Sequence, residues 1–155
     1  MEIEKKYLIR QLPESIEQYP HHLIEQGYLN KDPVVRVRRQ DDTYYLTYKG
    51  SGMLAREEYN LPLNAESYKN LIKKADGTII NKKRYCIPFQ EKYTIELDVF
   101  SPPFAPLVLA EVEFPSIEEA EAFIPPEWFG EEVTFQPEYH NSNMAFGNTP
   151  TSFNK

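Results

Sequence analysis

Charged residues recur at alternate positions on segment after segment of this chain, and that spacing limits the folds open to it more than any other feature. Successive side chains of a β-strand point to opposite faces. In Glu2-Ile3-Glu4-Lys5-Lys6, two carboxylates and an ammonium therefore share one face. One such stretch is an ordinary solvated edge strand. The pattern returns, however, in Arg36-Val37-Arg38, Arg56-Glu57-Glu58, Lys82-Lys83-Arg84, Glu96-Leu97-Asp98 and Glu111-Val112-Glu113. Charge repeated on one face of strand after strand calls for a wet interior or a ligand.

The segments carrying these charges read as strands by β-branching and alternation. Val34 to Arg39 places Arg36 and Arg38 opposite Val35 and Val37, and Thr43 to Lys49 returns as its hairpin partner with Tyr45, Thr47 and Lys49 on one face. From Leu54 onward both faces carry charge, with Arg56, Glu58 and Asn60 on one side and Glu57 on the other. Tyr93 to Phe100 sets Thr94, Glu96 and Asp98 against Tyr93, Ile95, Leu97 and Val99, and Leu107 to Phe114 sets Glu111 and Glu113 against Val108, Ala110 and Val112. Leu23 to Leu29, Thr78 to Ile87 and Glu132 to Phe135 are further expected strands. Helices are expected near Leu12 to Ile16, after an Asn64 cap with Asp76-Gly77 closing it, after a Ser116 cap with Glu119 at capping-box spacing, and from Glu138 to Phe146.

Two architectures could hold this inventory: an open sheet with its charged face in solvent, or a closed barrel whose charged face lines a lumen. Exposed ion pairs contribute only about 0–1 kcal/mol each, which gives an open sheet little reason to build so many. The expectation is a mainly β, eight-stranded closed antiparallel barrel with a few peripheral helices, one domain spanning 1–147, and a frayed tail over 148–155.

With hydrophobic residues at 41% and aromatics at 14%, the composition suits a β-rich globule rather than disorder. No apolar run approaches the roughly 20 residues of a membrane span, and the first residues are charged, so a soluble, cytoplasmic protein without membrane partners is expected. A net charge of −7 makes nucleic acid an unexpected partner. The one cysteine, Cys86, reads as a packed strand residue. Adjacent His21 and His22 point to opposite faces, with no third ligand nearby, and are not read as a metal site.

The order of motifs also resembles a known family. Glu2-x-Glu4-x-Lys6, Gln26-Gly27-Tyr28-Leu29, Arg36-x-Arg38, Leu46-Thr47-Tyr48-Lys49-Gly50, Lys82-x-Arg84-Tyr85, Glu96-x-Asp98 and Glu111-x-Glu113 follow the arrangement of CYTH domain proteins, also called triphosphate tunnel metalloenzymes. Each motif alone is weak, but seven in order from residue 2 to about residue 146 are specific. The resemblance implies an eight-stranded tunnel, dependence on a divalent metal and action on triphosphates. Tyr139 to Asn143 is similar to the family's C-terminal helix at the barrel mouth. Lys6, Arg36, Arg38, Lys49, Arg56, Lys82 and Arg84 would then bind the polyanion. Glu2, Glu4 and Glu113 would be primary ligands to Mg²⁺ or Mn²⁺, with Glu96, Asp98 and Glu111 in support or at a second metal. Glu58 would orient or deprotonate water, with Lys6 and Lys82 assisting catalysis. Small inorganic triphosphate is the first expectation for the substrate, in a monomer or homodimer. Nucleoside or thiamine triphosphatase, adenylate cyclase and a non-catalytic polyphosphate-binding module are the alternatives.

Overall fold

The computed structural model describes residues 1–147, and the expected tail at 148–155 lies outside the described residues. In chain order the elements are β1 (Glu2–Ile9), β2 (His21–Asn30), β3 (Val34–Gln40), β4 (Thr43–Lys49), β5 (Ala55–Arg56), β6 (Glu58–Leu63), α1 (Ala65–Ile72), β7 (Asp76–Phe89), β8 (Tyr93–Phe100), β9 (Val108–Glu113), α2 (Ile117–Ala122), β10 (Phe129–Glu132) and α3 (Asn141–Ala145). Short 3₁₀ turns occupy Ile16–Gln18 and Pro137–Tyr139.

All ten strands join one antiparallel sheet in the order β10-β1-β9-β8-β7-β2-β3-β4-β6, with β5 also paired to β1. This corrects the expected closed ring of eight. The strand expected to run from Leu54 through Asn60 breaks at Glu57, so β5 pairs with β1 while β6 pairs with β4, and the ladder does not continue around the seam. Glu57 turns its side chain to solvent and gives its carbonyl to the Gly50 N–H at 3.0 Å.

Local chemistry accounts for the helices and for the remaining departures. Asn64 Oδ1 accepts from the Ser67 N–H at 2.7 Å, and Ser116 Oγ accepts from the Glu119 N–H at 3.1 Å, so both expected N-caps form. Asp76-Gly77 opens β7 instead of closing α1. Gly77 has a φ of 70° and lies against the Ala145 carbonyl where no Cβ would fit, which lets α3 seat on this strand. The last strand falls at Phe129–Glu132, ahead of its expected place, because Phe129 packs on Tyr7 with ring centroids 4.8 Å apart. The expected final helix divides at His140 into the 3₁₀ turn and α3. No helix among the described residues is long and apolar enough to cross a membrane.

Two apolar clusters hold the sheet. One lies on the outer face of β1, β7, β8 and β9, where Tyr7, Tyr85, Ile95, Leu97, Ala110 and Val112 are covered by Ala120 and Phe123 of the α2 region and by Phe129. The other fills one end of the inner face. Tyr28, Ile80, Phe100 and Leu109 close there over Val133, Tyr139, Met144 and Ala145. The inner face is thus dry at one end and charged along the rest.

Leu97 is fully buried in the outer cluster, whereas Leu61 is 56% exposed. Leu97→Ala is expected to lower stability by about 2–5 kcal/mol through lost transfer energy and a residual cavity, and Leu61→Ala by no more than about 0.5 kcal/mol, both read from urea unfolding.

Candidate active site

The charged part of the inner face encloses a cavity of about 680 Å³. Strand register brings its walls together. Glu4 faces Glu113 and Lys6 faces Glu111 across β1 and β9, Glu111 faces Glu96 across β9 and β8, and Asp98 faces Arg84 across β8 and β7. On the far side Lys49 faces Glu58, and Glu2 faces Arg56 at the seam. All the expected site residues except Asp98 line the cavity, and Asp98 lies fully buried behind the wall.

Asp98 organises one half of the cations. Its Oδ1 accepts from Arg84 Nε at 2.7 Å, and its Oδ2 accepts from Arg84 Nη2 at 2.9 Å and sits 2.7 Å from Lys82 Nζ. Arg84 also reaches Glu96 at 3.3 Å and Glu111 at 3.6 Å, and Glu111 reaches Lys6 at 3.4 Å. Burial alone would raise the Asp98 and Glu111 carboxyls. The adjacent guanidinium and ammonium groups outweigh it and hold both below the usual range. Burial pulls the Lys82 ammonium down to about 7 against the opposing pull of Asp98. Asp98, expected as a metal ligand, has both oxygens committed to cations.

A second group straddles the seam. Lys49 Nζ lies 3.1 Å from Glu2 and 3.2 Å from Glu58. Burial raises Glu2 to about 7. Glu58 goes the other way, to about 2, because hydrogen bonding from Glu2 together with Lys49 and Asn60 overcomes its own burial.

The remaining charges are not matched in this way, and they are segregated. Arg36 donates from Nη2 to Thr47 Oγ1 at 3.1 Å, while its Nε is buried with no partner among the described residues. Arg38 donates from Nε to Gln26 Oε1 at 2.9 Å and pairs with no carboxylate among the described residues. Burial, then Arg36 and Arg84, lowers it to about 10. On β1 and β9, Glu4 and Glu113 face each other, and their carboxylates make no hydrogen bond or ion pair among the described residues. Burial and then Glu111 push Glu4 up to about 8, and burial followed by Glu58 raises Glu113. Free cations therefore stand on β3 and free carboxylates on β1 and β9.

The free carboxylates suit a hard divalent cation, since two apposed acids with raised pKa values gain from a positive charge between them. Among the described residues no three His, Cys, Asp or Glu side chains group to hold a metal unaided. Glu4 and Glu113 would supply part of the coordination and leave the rest to substrate oxygens and water, as Mg²⁺ commonly accepts. The His21–His22 pair takes no part: His22 Nδ1 lies 2.6 Å from Asp41 Oδ2 at the surface.

Residues 1–143 match the CYTH domain family. The chain belongs to that family. This CYTH chain is 38% identical over 148 residues to an inorganic triphosphatase of Nitrosomonas europaea, spanning 93% of the chain and 96% of that protein. It is also 38% identical over 154 residues to an inorganic triphosphatase of Acetivibrio thermocellus, spanning 93% of the chain and 92% of that protein. A solved inorganic triphosphatase structure superposes with a TM-score of 0.72 at 35% identity, covering 97% of both chains.

Several residues of the CYTH cavity were not picked out as site residues from sequence. Asn60, on the Glu58 face, links Glu58 to Thr47 through bonds of 3.0 and 2.6 Å, and simple alternation could have placed it there. His140 and Asn141 arrive from the C-terminal segment, which no strand pattern marks. His140 Nε2 lies 2.8 Å from the Thr134 carbonyl, and burial, then Lys6, lowers the imidazole to about 4. The unfolded chain therefore binds more protons than the folded one between about 6.5 and about 4, and stability falls as pH drops through that window. His140→Gln is expected to remove roughly 2–3 kcal/mol of this loss, seen as the difference between wild-type and variant urea midpoints at pH 7 and pH 4.5.

Proposed function

We propose that this chain is a divalent-metal-dependent hydrolase of triphosphate compounds, with inorganic tripolyphosphate as its substrate. The observation that carries the reading is the segregation of free charge in the cavity: buried guanidinium groups without carboxylates on one wall, and carboxylates without cations on another. A metal–triphosphate complex is the small molecule that complements both. Taking ions such as Arg36 and Arg38 out of water costs several kcal/mol each, so stability alone does not account for these two groups.

In this reading Arg36 and Arg38 grip phosphate oxygens, and Lys6, Lys49, Arg56, Lys82 and Arg84 complete the cationic lining. Glu4 and Glu113, with Glu2 beside them, would hold Mg²⁺ or Mn²⁺, whose chemistry there is to offset charge on the phosphoryl oxygens. Glu96, Asp98 and Glu111 serve by fixing Arg84, Lys82 and Lys6. Water attacks the terminal phosphorus, the new P–O bond forms as the bridging P–O bond breaks, and orthophosphate and pyrophosphate leave. Glu58, held ionised beside Lys49 and Asn60, suits orienting the attacking water, whose proton leaves with the orthophosphate product. Lys82 and Lys6 stabilise the charge that builds on the leaving oxygen. We further propose that β5 and β6, joined at Glu57, close the sheet into a working tunnel. Support comes from the Lys49–Glu2 contact and from the Glu4 N–H bonded to the Leu54 carbonyl at 3.1 Å, both across the seam.

One observation favours a second reading. Tyr45, opposite Arg38, and its register partner Pro62 line the cavity and offer a surface for the organic part of a nucleoside or thiamine triphosphate. Phosphate release from tripolyphosphate, ATP and thiamine triphosphate, each with Mg²⁺, Mn²⁺ or excess chelator, separates the two. Metal-dependent release from tripolyphosphate above the others is expected, and preferential turnover of an organic triphosphate would favour the second reading. Glu4→Gln is expected to cut kcat/KM by about 100-fold or more with the fold intact, and undiminished turnover would remove Glu4 from the metal site.

A further inference from the structure

The C-terminal segment enters the cavity at one point where a neutral group meets charged ones. Asn141 is buried, and its Oδ1 accepts from Lys82 Nζ at 2.9 Å and from Gln26 Nε2 at 3.1 Å. Gln26 is fully buried as well, donates also to the Tyr28 hydroxyl at 3.0 Å, and accepts from Arg38 Nε at 2.9 Å. Chemistry fixes the orientation of both amides. An ammonium and an NH₂ can only donate, so oxygen must face them at Asn141, and Arg38 Nε requires the Gln26 oxygen in the same way.

The donor count shows what this arrangement leaves over. Lys82 has three N–H bonds. Asp98 and Asn141 take two of them, and the third has no acceptor among the described residues. Arg38 has five. Gln26 takes the Nε hydrogen, and the Nη fork, the part that grips a phosphate bidentately, has no acceptor among the described residues. Both side chains line the cavity and are oriented by these bonds, and the Lys82 ammonium also lies 5.5 Å from the centroid of the Phe100 ring. A carboxylate at position 141 would orient Lys82 equally well, and one at position 26 would keep the acceptor for Arg38 while giving up the donor to Asn141, but either would cancel charge that the ligand needs.

Resting on the triphosphate reading above, we propose that Asn141 and Gln26 are positioning residues that aim Lys82 and Arg38 at the substrate's phosphate groups and do so without neutralising them. The C-terminal segment is then part of the binding machinery, in addition to capping the dry end of the sheet. Its neutrality is the feature that matters.

Asn141→Asp separates this role from a purely structural one, because the variant keeps the acceptor and adds attraction to Lys82. A structural role predicts undisturbed binding. The positioning role predicts an unchanged or raised Tm together with tripolyphosphate affinity, titrated calorimetrically in chelator, weakened on the order of tenfold or more. In turnover assays KM rises by a similar factor while kcat moves by less. Gln26→Glu, which sets the same charge against Arg38, is expected to act in the same direction and gives an independent reading if Asn141→Asp does not fold. Wild-type affinity in a folded Asn141→Asp or Gln26→Glu variant would overturn the proposal. Binding by the wild type without hydrolysis would overturn the hydrolase reading alone, since the order of the variants' affinities still decides this one. Absence of any tripolyphosphate binding would overturn both.

Discussion

Everything in the cavity depends on Asp98, a fully buried carboxylate clamped by Arg84 and Lys82. An ion so deeply buried is tolerable only when its oxygens meet donors in good geometry, and both Asp98 oxygens do so, with contacts of 2.7, 2.7 and 2.9 Å. Its partners are then fixed on the wall with their remaining donors free for Glu96, Glu111 and the cavity. A hydrophobic substitute of the same volume would pack as well or better. The arrangement is best understood as rigidity for charges that must not collapse onto one another.

That rigidity explains how opposite charges coexist in one hollow without cancelling. Lys6, Lys49 and Arg84 are already compensated by carboxylates, whereas Arg36 and Arg38 are held by a hydroxyl and an amide. Glu4 and Glu113 stand on β1 and β9 and the two arginines on β3, strands that are not neighbours in the sheet. The apolar plug of Tyr28, Ile80, Phe100, Leu109 and Met144 keeps water from one end and lowers the local dielectric, which strengthens every remaining interaction.

Much of this was legible from spacing alone. The i, i+2 charges on β1, β3, β7, β8 and β9 announced a common face, and the face is real: all of these strands send charged side chains to one cavity. The seam was not legible. Charge on both faces at Arg56-Glu57-Glu58 suggested one strand, but only the competition between β1 and β4 for partners determines that it splits. Asp98 illustrates a second limit: alternation gives a side chain's face without its depth, and a carboxylate opposite an arginine can be anchor or ligand. His140 and Asn141 illustrate a third, since Asn141 meets Gln26 across 115 residues and Lys82 across 59, and no local pattern encodes such contacts. The family resemblance supplied the order of motifs but could not say which charges would be left uncompensated.

The central claim is that free cations and free carboxylates in this cavity jointly complement a metal-bound triphosphate. The most direct test is the linkage between the two ligands, measured by titrating tripolyphosphate calorimetrically in chelator and again at saturating Mg²⁺. Because a cation held by Glu4 and Glu113 would also take phosphate oxygens as ligands, Mg²⁺ should tighten tripolyphosphate binding, by about tenfold or more. Affinity that is unchanged or weakened by Mg²⁺ would contradict the account.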